Sequence, residues 1–196
     1  MATTPLHVQA GLNARPISIR SVTGAIGAMA LLLALPVTVL IQMVLPGSDA
    51  TVIHLILAVG TVLIGLSAFD FPAARAVRWV AFASAAVLGA IFFAQAVASF
   101  TMSETINNIA FSRELGGWGE AISSSLVMLW FMVLAVTGRG LTRWFGVISS
   151  GAVIALSVWS ILAPPTSTVP EMFRLVFILP IGWYVFTSTR QAPVRS

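Results

Sequence analysis

Five polar side chains interrupt or border apolar runs in this sequence, and they are where chemistry is to be sought: Gln42, His54, Gln95, Glu120 and Arg174. His54 lies in DATVIHLILAVGTVLIG, residues 49–65, and the other histidine, His7, lies in a polar N-terminal stretch. A histidine can ligate a metal, carry a proton or hold a polar ligand. On a helix His54, Ala58, Thr61 and Gly65 share one stripe, which predicts an imidazole facing other helices rather than lipid. Gln42 has Thr38 four residues before it, Gln95 has Ser99 four residues after it, and Arg174 lies one turn from Glu171. Polar groups at membrane depth tend to face a bundle interior and mark sites. The expectation is a small polar pocket lined by His54, Gln42, Gln95, Glu120 and Arg174. The plainer alternative is a set of interfacial side chains with one Glu171–Arg174 pair, because such groups near helix ends reach water at little cost.

Several chemistries are excluded by what is missing. The chain has no cysteine, which removes disulfide, thiolate, iron–sulfur and zinc–cysteine chemistry. All ten basic residues are arginine, so no lysine is present to form a Schiff base. A haem clamped by two membrane histidines cannot be built when only His54 lies in an apolar run. No H-E-x-x-H motif and no P-loop occurs, and no run of buried acids suggests a proton or sodium relay. GLSAF, residues 65–69, has a faint likeness to the serine motif of rhomboid proteases. It lacks the second glycine, and no histidine sits in a late apolar run to act as base. No metal or other cofactor is expected.

The elements that must position these residues follow from composition. The chain has 196 residues, 58% of them hydrophobic and 8% charged; soluble domains carry about 25% charge. Six apolar segments are expected as helices at about 22–45, 52–69, 79–100, 118–137, 144–163 and 172–188. Each is close to the roughly 20 residues that cross a hydrocarbon core, and the first is too long for a cleaved signal sequence. The fold class is therefore all-α, a six-helix transmembrane bundle spanning 21–189, with tails at 1–20 and 190–196.

The loops set the orientation. Arg15, Arg20, Arg75, Arg78, Arg139, Arg143, Arg190 and Arg195 fall on one side, with Asp70 the only acid among them. Asp49, Glu104, Glu114, Glu120 and Glu171 fall on the other, with Arg113 and Arg174. The positive-inside rule makes the first side, and both termini, cytoplasmic. Trp79, Trp144 and Trp118 stand at helix starts, where amphipathic rings favour the headgroup zone.

The longest loop, TMSETINNIAFSRELGGWGEA, has the spacing of a capping box at Thr101 and Glu104. Ile106, Ile109, Ala110 and Leu115 would form one apolar side of a short helix on the membrane, broken by Gly116, Gly117 and Gly119. Small residues at spacing four predict close packing through Ala86, Ala90, Ala94 and Ala98, through Gly24 and Ala28, and through Gly151 and Ala155. Pro36 and Pro180 fall inside the first and last runs, where each removes a backbone donor.

The order of HLILAVGTVLIGLSAFDF, LGGWGEAISSSLVMLWFMVLA and ILPIGWYVF resembles small bacterial integral membrane proteins of six or seven helices whose function is unknown. The resemblance implies a multi-pass protein of a bacterial plasma (inner) membrane and brings no activity. The expected function is non-enzymatic: an outward-facing polar pocket that takes a lipid-like or small amphiphilic ligand, or a partner protein. The alternatives are a small oligomeric transporter, and a membrane enzyme using His54 and Glu120 as acid and base. The expected partners are the lipid bilayer and either further copies of the chain or another membrane protein, not nucleic acid.

Overall fold

The computed structural model describes residues 21–44, 49–71, 73–138, 140–162 and 169–189. They are helical almost throughout: α1 Val22–Val44, α2 Asp49–Ser67, α3 Arg75–Thr101, α4 Glu104–Ala110, α5 Glu120–Thr137, α6 Gly140–Leu162 and α7 Val169–Thr189. A 3-10 turn, Ala68–Asp70, closes α2, and a π-helix, Arg113–Gly119, precedes α5. Among the described residues there is no strand. The stretches Thr51–Asp70, Arg75–Thr101, Glu104–Thr137 and Gly140–Leu162 are long and apolar enough to cross a membrane. Large apolar side chains are exposed all round the bundle, among them Leu33, Val59, Phe93, Leu129, Ile148 and Trp159. That surface suits hydrocarbon and not water, and with the four long helices it marks a membrane protein.

The helices overrun the apolar segments that announce them. α2 begins at Asp49, α3 at Arg75 and α6 at Gly140, each several residues ahead of the apolar run. Hydropathy marks the hydrocarbon depth, whereas the backbone keeps its i→i−4 bonds through the polar flank. α3, at 27 residues, is about 40 Å long at a rise of about 1.5 Å per residue.

The six long helices form a closed ring. α1 packs on α2, α2 on α3, α3 on α5, α5 on α6, α6 on α7, and α7 returns to α1. The helices of this ring are held close by glycine. A Cβ on Gly27 would lie 2.6 Å from the Gly60 carbonyl oxygen, so α1 and α2 touch backbone to backbone. Gly65 faces the Ala85 methyl, and a Cβ on Gly89 would lie 3.1 Å from the Ala58 oxygen, which seats α2 on α3. Gly146 of α6 faces the Trp183 ring and the Ala135 methyl. Such contacts supply dispersion where lipid tails leave no water-driven force between helices.

Two of the expected packing stripes lie elsewhere. On α3 the buried side chains include Ala81, Ala85, Leu88, Phe92, Gln95 and Ala96; of the expected stripe Ala98 alone is buried, Ala86 and Ala94 are half-buried and Ala90 is exposed. On α6 the buried residues are Gly146, Ser149, Ser150, Val153 and Ser157, while Gly151 is half-buried and Ala155 is exposed. Alanine is small enough to pack and apolar enough to face lipid, so its spacing does not choose the face. Gly24 and Ala28 are both buried. The ring is filled by Leu88, Met128, Phe131, Val153, Ile181 and Tyr184. Pro180 is buried within α7 and Pro36 is exposed on α1, and both helices continue through their prolines.

Candidate functional site at the α4 end of the bundle

The ring has two ends of different construction. One carries Arg75, Arg78 and Arg143 and is called here the arginine end; the other carries α4 and the π-helix. At the α4 end, α3 stops at Met102, which adopts the left-handed conformation with φ 50 and returns its N–H to Ala98 O. The chain then turns through α4. Ser103 takes the N-cap position of α4 without a side-chain cap bond, and the Thr101 hydroxyl donates back to Val97 O at 2.9 Å. The capping box anticipated at Thr101 and Glu104 does not form, because α3 runs on through Thr101.

Ser112 starts the next segment, its hydroxyl accepting the Leu115 N–H at 3.1 Å. Gly116, Gly117 and Gly119 do not break the chain here. They lie inside the π-helix, which passes without interruption into α5. Glycine at 116 has a steric reason: a Cβ there would lie 2.9 Å from Ala110 O, 3.1 Å from Phe111 Cα and 3.4 Å from Gln95 Nε2.

Two of the five anticipated site residues meet this cap. His54 is half-buried on α2, and its ring packs edge-on to Phe111 at 5.8 Å between centroids. Below it on the same stripe Ala58, Thr61 and Gly65 are all buried. Gln95, on α3, is only 3% exposed and lies beneath Gly116. Phe111 and Gly116 are themselves neighbours, so His54 and Gln95 approach one short segment from two helices. Glu120 begins α5 one turn beyond Gly116 and is half-buried. The side chains of Gln42 on α1 and Arg174 on α7 lie outside the described residues.

No family model, curated protein or solved structure matches this chain. The site must be read from its own geometry. A half-buried imidazole and a buried carboxamide beneath one cap offer donors and acceptors to a polar group. The cap's outer surface is mixed: Phe100, Met102, Ile106, Ile109, Phe111 and Trp118 are exposed beside the polar Glu104, Thr105, Asn107, Asn108, Arg113 and Glu114. Arg113 stacks over the Trp118 ring at 5.4 Å, an arrangement suited to the boundary between water and lipid. Among the described residues no three His, Asp or Glu side chains gather as a metal site.

The arginine end holds a polar cluster that residue spacing did not announce. Ser21 caps α1, accepting the Gly24 N–H at 2.9 Å and donating to Asp70 Oδ2. The Ser67 hydroxyl donates to Ile64 O at 2.6 Å and lies 2.9 Å from the Tyr184 hydroxyl. With the serine proton already committed, Tyr184 is the donor of that second bond. Its ring stacks on Phe131 at 4.8 Å. A Cβ on Gly24 would overlap the Tyr184 hydroxyl and lie 2.8 Å from Ser67. α1, α2, α5 and α7 are thereby tied together around one phenol. The sequence carried one signal for it: Tyr184 is the sole tyrosine of the chain and stands within an apolar run. Ser67 is engaged on both sides and is no activated nucleophile.

Proposed function

We propose that the chain is a six-crossing integral membrane protein of a bacterial plasma membrane, with both termini cytoplasmic, which binds a lipid-like or small amphiphilic ligand at its external end. α1 and α7, at 23 and 21 residues, are long enough to add two crossings to the four long apolar stretches. The arginine end is then cytoplasmic by the positive-inside rule, and the α4 end is external. The observation that carries the ligand reading is the convergence of His54 and Gln95 beneath a cap whose surface mixes exposed apolar side chains with polar ones. A polar headgroup would meet the imidazole and carboxamide while its tail follows the exposed apolar side chains of the cap.

Photo-crosslinking with a diazirine-bearing phospholipid in vesicles tests this. The expected crosslinks concentrate on residues 102–118 and fall several-fold in His54→Ala and Gln95→Ala. Labelling spread evenly over the lipid-facing belt, and unchanged by either substitution, would sink the reading. Topology has its own test: a reporter fused at Gly117 is expected outside and one at Gly140 inside.

A further inference from the structure

The cap is attached to the ring at two unusual backbone positions. On the α3 side Met102 holds a positive φ of 50 without being glycine, a conformation that costs energy in residues with a Cβ. On the α5 side the seven-residue π-helix replaces α-helical turns. Its first carbonyl is shared: Ser112 O accepts from Gly116 N at 2.9 Å and from Gly117 N at 3.2 Å. The first is the i→i+4 spacing of an α-helix and the second the i→i+5 spacing of a π-helix. At the other end of the segment Glu120 N–H is directed at Leu115 O, five residues back, and at Gly117 O, three back. Two registers thus coexist in one segment, and π-turns of this kind recur at functional sites.

From this geometry we infer that Arg113–Gly119 is a register hinge, which converts between π and α turns and so lifts the α4 cap from His54 and Gln95. In an α-helix one residue corresponds to about 100° of rotation and about 1.5 Å of rise. Phe111 lies before the hinge, whereas its partner His54 lies on α2, outside it. A one-residue change of register therefore carries the Phe111 ring away from the imidazole and moves Gly116 off Gln95. The glycines have separate tasks. Gly116 is required by the closed form, where a side chain would meet Ala110 O and Phe111 Cα. Gly117 has nothing nearer than Arg113 Cγ at 3.8 Å, so the closed form accepts alanine there. The inference rests on the amphiphile-pocket reading only in what it says about access, because the hinge itself is a property of the backbone.

The chain contains no cysteine, so Gln95→Cys supplies a single reporter thiol in the full-length protein. Its reaction with a water-soluble maleimide is expected to be slow in the otherwise native background. Adding Gly116→Ala should accelerate it about tenfold by shifting the population toward the open register. Adding Gly117→Ala should leave the rate within about twofold. No acceleration by Gly116→Ala in a folded protein, or equal acceleration by both, overturns the hinge. Where Gly116→Ala does not fold, amide exchange in the native chain decides. Gly116 and Gly117 should exchange faster than the Ser124 and Met128 amides of α5, and equal protection overturns the proposal. Neither measurement needs a ligand, so failure to capture an amphiphile and failure of the hinge are separate results.

Discussion

The two ends of the ring use similar residues to different effect. Both contain glycine and serine, and both join elements through aromatic contacts, one at the α4 end and several at the arginine end. At the arginine end two glycines remove Cβ atoms so that rigid groups can meet: Gly24 admits the Tyr184 hydroxyl, and Gly146 admits the Trp183 ring, whose Nε1–H donates to Thr142 O at 2.6 Å. Ser21 and Ser67 each hold two partners. At the α4 end Gly117 has open space around it and Ser112 O divides its acceptance between two amides. Packing sets Gly24, Gly146 and, at the α4 end, Gly116, whereas Gly117 and, at the arginine end, Gly140 with its φ of 65 stand clear of other groups and leave the backbone free. The lesson is that glycine content alone says nothing about rigidity; what occupies the missing Cβ does.

The contrast is most sharply tested by overfilling each end. Gly24→Val places a side chain on the Tyr184 hydroxyl and the Ser67 side chain, and overpacking of this kind costs about 3 kcal/mol or more where nothing can yield. The expected outcome is a large fall in thermal midpoint in detergent. Gly117→Val at the α4 end should cost less than about 1 kcal/mol, since only Arg113 Cγ lies near. Equal losses for the two variants would erase the distinction between packed and free glycine.

Much of the architecture was legible in the sequence, and the reasons are physical. Hydrocarbon thickness fixes run length, so the apolar segments disclosed helices even where their ends were displaced toward the polar flanks. The stripe from His54 through Gly65 was readable because its residues differ in polarity from the rest of α2. Ala86 and Ala90 were not, because lipid and a neighbouring helix both accept alanine. The π-helix was hidden because Gly116, Gly117 and Gly119 read as a break, and nothing local reveals that Ala110, Phe111 and Gln95 close in around Gly116. The Ser67–Tyr184 bond joins positions 117 residues apart, a distance over which no spacing rule operates. His54 and Gln95 were each identifiable as polar residues in apolar surroundings; their shared cap was not.

Removing hydrogen-bonding groups from the arginine end has smaller expected costs. Tyr184→Phe keeps the ring stacked on Phe131 and deletes the donor to Ser67. Ser67 retains its bond to Ile64 O, so no buried proton is stranded, and the expected cost is about 1 kcal/mol by equilibrium unfolding. Ser21→Ala removes both the cap on Gly24 N–H and the tie to Asp70. Loss of a helix cap is worth about 1 kcal/mol, and a value near zero would mean that α1 is held by its packing on α2 and α7 without help from the cap.

The smallest expected effect on stability belongs to His54→Ala, and it separates the two ends most cleanly. The imidazole is half-buried and its ring contact is edge-on to the exposed Phe111, at the weak end, about 0.5 kcal/mol, of what such pairs are worth beyond area. If the α4 end were a packing device like the arginine end, deleting this side chain would lower the thermal midpoint as much as Tyr184→Phe does. If the cap is instead a cover over polar groups, the midpoint should move little, while maleimide reaction at a thiol placed at Gln95 should rise because the cap has lost its seat on α2. A drop in stability without any change in that reaction would assign His54 to packing and leave the α4 end no different in kind from the other.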